Sequence, residues 1–192
     1  MLTKSIYVSG VNNLSDARYC SGMGVEFIGV SMDEHDPNYL PVEKFNEING
    51  WLVGINWIAE SSDSNAESLI EKCEIYGLKR IAIANDLLAE QLIVAGFEVL
   101  LKVEEVLTSV ISSPNIIGYE IIFSEKLLDE LENGLYNDNT SLYLGGEISI
   151  ENLEKINEIE SVKGVVISGG EEERPGYKDM DGLIDAIEVF ED

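Results

Sequence analysis

Short apolar runs alternate with amphipathic stretches along the whole chain. The runs fall at 6–8, 27–30, 52–56, 80–84, 98–102, 120–123, 141–144 and 164–167. Most are apolar without strict alternation, as strands buried on both faces read. Between them, Leu14, Ala17 and Cys20 mark one helical face over 14–21, and Leu69, Ile70, Cys73 and Tyr76 another over 66–76. Leu153, Ile156 and Ile159 do the same over 150–159, and Leu183, Ile184, Ile187 and Phe190 over 180–190. Spacings of three and four place such residues on one side of a helix.

The punctuation agrees. Gly22 and Gly24 follow the first helical stretch, Gly77 the third and Gly96 the fourth, where helix C-termini favour glycine. Ser149 stands as an N-cap before Ile150. The fifth connection, 103–114, is short and serine-rich, which predicts a shortened helix after strand five.

Eight strand–helix repeats imply a parallel sheet with right-handed crossovers. They predict an α/β fold, a compact (β/α)8 TIM barrel forming one domain over residues 1–192, with an open doubly wound sheet as the alternative. At 192 residues the chain is short for such a barrel, which usually needs about 200–250. Its loops must be brief.

Composition narrows the function. Twelve basic residues against 37 acidic ones give a formal charge of −25, which disfavours nucleic acid and anionic membranes as partners. Cys20 and Cys73 lie apart at apolar helical positions, without a CxxC or a Cys/His cluster. Reduced thiols, no metal, no cofactor and a cytoplasmic location are expected.

Chemistry in such barrels gathers at the C-terminal ends of the strands. The loops there carry Ser9 and Gly10, Asp33 to Tyr39 with the chain's single histidine His35, Asn85 and Asp86, Ser124 and Glu125, Gly145-Gly146-Glu147, and Ser168-Gly169-Gly170-Glu171. Glycine pairs after strands seven and eight suit a phosphate cradle, because backbone N–H groups can approach an anion closely there. Glu147, Glu171, Glu172 and Glu173 oppose it, each by about 1–4 kcal/mol at close range, with only Arg174 and Lys178 nearby to compensate. Lys102 reads as an end-of-strand lysine salt-bridged to Glu104 or Glu105. Tyr39, Trp57 and Tyr177 read as aromatics capping the mouth after strands two, three and eight.

These loops carry a resemblance. Ser168-Gly169-Gly170-Glu171 through Pro175-Gly176-Tyr177-Lys178-Asp179 resembles the closing segment of the phosphoribosylanthranilate isomerases. Leu144-Gly145-Gly146-Glu147 with Glu151-Asn152, Asp16-Ala17-Arg18, the stretch 24–29, and Asp36-Pro37-Asn38-Tyr39-Leu40 are similar to other family segments. The resemblance implies a sugar-phosphate ligand and an Amadori rearrangement, in which an aminoaldose becomes an aminoketose. It also implies substrate contacts at Asn38, Gly145, Gly146, Ser168, Gly169 and Gly170. Yet Ser9 stands where the family has its cysteine base, and Ser124, beside Glu125, where it has its aspartate acid. Asn38 replaces the arginine for the anthranilate carboxylate, Ala84 a histidine, Val166 an aspartate and Glu147 a glycine. A serine hydroxyl without an activating base is too weak to remove a carbon-bound proton. The resemblance therefore implies an isomerase-like barrel that is catalytically impaired, a pseudoenzyme with a weakened sugar-phosphate pocket or a surface for a protein partner. The alternatives are a divergent but genuine isomerase, an intramolecular aldose–ketose enzyme, and a different enzyme using an acidic mouth.

Overall fold

A computed structural model describes residues 2–104, 111, 113–134, 141–168, 172–174, 177–178 and 181–191. Eight parallel strands close into a barrel in chain order. They are β1 (Ser5–Ser9), β2 (Phe27–Ser31), β3 (Trp57–Glu60), β4 (Arg80–Ile83), β5 (Glu98–Val103), β6 (Ile116–Ile122), β7 (Leu142–Gly145) and β8 (Val162–Ser168). Among the described residues seven helices pack around them: α1 (Leu14–Gly22), α2 (Val42–Trp51), α3 (Ala66–Tyr76), α4 (Asp86–Val94), α5 (Glu125–Glu132), α6 (Ile150–Glu158) and α7 (Asp181–Phe190). A two-stranded ribbon, β9 (Glu172–Arg174) with β10 (Tyr177–Lys178), lies between β8 and α7. The expected helix after β5 falls largely on residues outside those described. The barrel, rather than the open sheet, is the fold.

The strand period of two divides each strand between two cores. Tyr7, Phe27, Ile58, Ala82, Leu100, Tyr143 and Val166 form one buried cluster filling the barrel. Their sequence neighbours, among them Ile6, Ile28, Ala59, Ile81, Val99, Leu144 and Val165, join Phe45, Leu69, Leu92 and Phe190 of the helices in the other. Caps hold as read: Ser149 accepts from the Asn152 amide, and Gly77 ends α3 in the left-handed region at φ 69°. Cys20 and Cys73 are buried and free, and burial pushes both thiols up to about 12.

Several expectations are corrected. The run 52–56 is not a strand. Val53 is 95% exposed and Gly54 has φ 78°, so this segment turns, and β3 begins only at Trp57. An apolar run lacks a strand's ladder if a turn interrupts it. Trp57 therefore opens β3 instead of capping the mouth. Its ring packs edge-on against Phe45 at 5.2 Å, and its indole N–H donates to Asn49 at 2.9 Å. Gly22 is the last residue of α1, with Met23 as the cap. Among the described residues no helix is long and apolar enough to cross a membrane.

Candidate functional site

A cavity of about 1070 Å³ opens at the C-terminal ends of β1 to β5. Its outer wall is the loop from β2 to α2. That loop turns on itself, with the Asn38 amide donating to Asp36 Oδ1 at 2.7 Å, and Tyr39 bridges back to Ser31. On another side Lys72 of α3 lies 3.2 Å from Asp63 and 3.6 Å from Asp33. Burial works against the Asp33 charge, but hydrogen bonds from Ser61 and Ser62, with Lys72, outweigh it and lower its pKa. Hydrogen bonds from Ser68, the Asn65 amide and Lys72 hold Asp63 at about 2. These two acids stay ionised and brace the wall.

The floor carries different chemistry. The side chains of Glu60, Lys102 and Glu120 share the inward parity of the barrel cluster, because Glu60 pairs with Ala82, Ala82 with Leu100, and Lys102 with Glu120. Tyr7 donates a short hydrogen bond to Glu60 Oε1, and the Gly10 amide donates to Oε2 at 2.9 Å. Lys102 Nζ stands 3.6 Å from Glu120 Oε2, an ion pair longer than a hydrogen bond. That oxygen is buried with no hydrogen-bond partner. Burial raises the Glu60 pKa, against the pull of Tyr7, Lys102 and Gly10, and Asp36 pushes it the same way. Burial likewise raises Glu120, against Lys102, and Glu60 adds to the rise. Tyr7, buried beside Glu60, is held far above the usual phenol range and remains a donor. Glu60 and Lys102 line the cavity, with the buried Glu120 behind Lys102, so a carboxyl of raised pKa and an ammonium stand within reach of a ligand.

The residues singled out by sequence divide. Ser9, at the end of β1, and Asn38, whose side chain lies over Gly10, both line the cavity. Ser124 is the N-cap of α5, its Oγ accepting from the Leu127 amide at 3.2 Å. Glu125 Oε1 accepts from Asn152 Nδ2 at 2.8 Å. Neither Ser124 nor Glu125 lines the cavity. Gly145 is buried against Glu120, Gly146 sits at φ 105°, and Ser168 ends β8 opposite Ser9. Gly169, Gly170 and Glu171 lie outside the described residues. Lys102 pairs with Glu120, its register partner on the neighbouring strand, rather than with Glu104, and Glu105 lies outside the described residues. Among the described residues no group of acids, cysteines and histidine is arranged to hold a metal ion.

Sequence reasoning missed Tyr7, Glu60 and Glu120. The available signal was a glutamate inside an apolar strand run, Tyr119-Glu120-Ile121, and another closing Trp57-Ile58-Ala59.

No family model matches the chain, and no curated protein does. Solved structures do. The isomerase of Thermus thermophilus superposes with a TM-score of 0.75 at 16% identity, covering 96% of this chain and 97% of that one. The fold is that of phosphoribosylanthranilate isomerase. The Pyrococcus furiosus isomerase gives 0.71 at 16% identity, over 97% and 98% of the two chains. Another, solved in complex with reduced 1-(o-carboxyphenylamino)-1-deoxyribulose 5-phosphate, gives 0.74 at 17%, over 97% of each. The likeness runs nearly end to end, so the barrel mouth here stands where theirs does.

Proposed function

We propose that this barrel is an isomerase-like scaffold that has lost the Amadori rearrangement and keeps a small-molecule cavity at its mouth. One observation carries the reading. Ser124 and Glu125, at the place of the general acid, are engaged by α5 and α6, while Ser9, at the place of the base, lines a cavity they do not reach. The rearrangement needs an acid at the ring oxygen and a base at the C2′ proton, each worth about 10²–10⁴ in rate. A serine hydroxyl at the base position and a helix-capping serine at the acid position supply neither contribution.

The end-to-end likeness to a structure holding a phosphorylated sugar-like ligand supports a phosphosugar as the ancestral partner. The cavity weakens that partner. Asp33, Glu34, Asp36, Glu60 and Asp63 line it against only Lys72 and Lys102, so a dianion meets repulsion there. The test is isomerase turnover with freshly generated phosphoribosylanthranilate, followed as loss of its fluorescence at micromolar protein. No turnover above buffer is expected from folded protein. Turnover that disappears in Glu125→Gln would overturn the reading and restore a divergent isomerase.

A further inference from the structure

The floor of the cavity holds two opposed groups with space between them. Glu60 ends β3 and Lys102 lies near the end of β5; strands two apart stand about 10 Å from one another. The strand between contributes Ala82, and Ala84 follows it, so its inward positions carry only methyl groups, while Ile83 joins the helix-side core. Glu60 is fixed from behind by the Tyr7 hydroxyl and the Gly10 amide. Space for this pair is built into the backbone: a Cβ on Gly29 would lie 2.5 Å from Glu60 Oε1 and 2.8 Å from the Tyr7 hydroxyl. Lys102, 38% exposed, is held from the far side by the buried Glu120. Among the described residues no basic side chain comes within ion-pair distance of Glu60.

We propose that Glu60 and Lys102 form a proton-transfer site for a small uncharged hydroxycarbonyl compound, seated between them over Ala82 and Ala84. This deepens the reading of the cavity given above. The Glu60 carboxylate removes the proton from the carbon beside the carbonyl. The C–H electron pair becomes the C=C bond of an enediolate, and the carbonyl π pair moves onto oxygen. The Lys102 ammonium holds that oxygen by a charge-assisted hydrogen bond, and the proton on Glu60, after exchange with solvent, returns to the same carbon as the electron pair moves back and the carbonyl re-forms. Nothing is oxidised or reduced overall and no cofactor enters. A carboxylate whose pKa is raised is a stronger base than one in water. Ser9 and Asn38 offer polar lining for the hydroxyls, and five acids against two lysines disfavour anionic ligands. Tyr7 acts through Glu60 as a positioning residue.

Dihydroxyacetone is the probe, and the readout is exchange of its carbon-bound protons in D2O by ¹H NMR. The wild-type protein is expected to speed exchange at least about 10²-fold over buffer. Glu60→Gln and Lys102→Met should each abolish most of that gain. Ala84→Leu, which fills the gap and leaves both charges in place, should lower it too. Tyr7→Phe should keep exchange but move its pH midpoint upward, since a hydrogen bond to the carboxylate is lost. Circular dichroism checks that each variant folds. Wild-type exchange no faster than buffer, or a folded Glu60→Gln as fast as wild type, overturns the proposal. Either result leaves the loss of the Amadori reaction standing, whereas turnover of phosphoribosylanthranilate overturns that loss alone.

Discussion

A carboxyl whose pKa is raised in the folded state binds its proton more tightly there than in the unfolded chain. Glu60 and Glu120 are both of this kind. Their contribution is fully present below the unfolded value and is lost as pH rises through the folded one. Asp33 and Asp63 have the opposite sign, so their contribution is present above the unfolded value and falls away in acid. The two pairs separate on the pH axis. Above the unfolded carboxylate range the floor carboxyls dominate the difference, and melting temperature should fall as pH rises through their folded values. Glu60→Gln removes one titrating group, so its melting temperature should depend less on pH over that window. Differential scanning fluorimetry across the window checks this; an unchanged slope would mean that Glu60 titrates alike in both states. Removing the Lys102 charge instead leaves the buried Glu120 without its cation and should push its pKa higher still.

At the scale of single elements, the helix caps carry the sharpest expectation. Ser124→Ala removes the acceptor for the Leu127 amide and should destabilise the fold by about 1 kcal/mol, read as a lower urea midpoint. Exchange of dihydroxyacetone should be untouched by it, which separates a cap from a reacting group. Caps of this kind were legible in the sequence, because Ser149 and Gly77 are local signals that act within one turn. Strand three was not. Its apolar lead-in, 52–56, carries the same composition as a strand, and only its turn at Gly54 and the register of β3 against β2 move the strand onward to Glu60. That shift hid the floor of the site. Whether a strand residue faces the barrel or the helices depends on register, and register is a property of paired strands rather than of one. Lys102 and Glu120 were visible as residues, but their pairing across β5 and β6 was not. Ser9 and Asn38, marked by the family resemblance, do reach the cavity, because loops at strand ends share one mouth whatever the register.

Closure governs the molecule as a whole. The seam is the pairing of β1 with β8, running from Ser5 opposite Gly164 to Ser9 opposite Ser168. It is tight at its start: a Cβ on Gly164 would lie 2.1 Å from the Ser5 carbonyl oxygen. Backbone cannot yield as a flexible side chain does, so Gly164→Ala should destabilise the barrel by at least about 1–3 kcal/mol. Hydrogen exchange would show it as faster exchange of β1 and β8 amides relative to β4 and β5; equal acceleration along all strands would point to a seam that is not special. The two seam partners lie far apart in sequence, and that has a bearing on how the chain is made. At synthesis rates of about 5–20 residues per second, β1 leaves the ribosome on the order of 10 s before β8 exists to meet it. Through that interval one row of β1 amides and carbonyls has only water or another chain for a partner, as any unprotected sheet edge does. The closing joint of the finished barrel is thus the longest-open edge of the growing one, and nascent chains arrested before Val162 should be the form most prone to pair with one another.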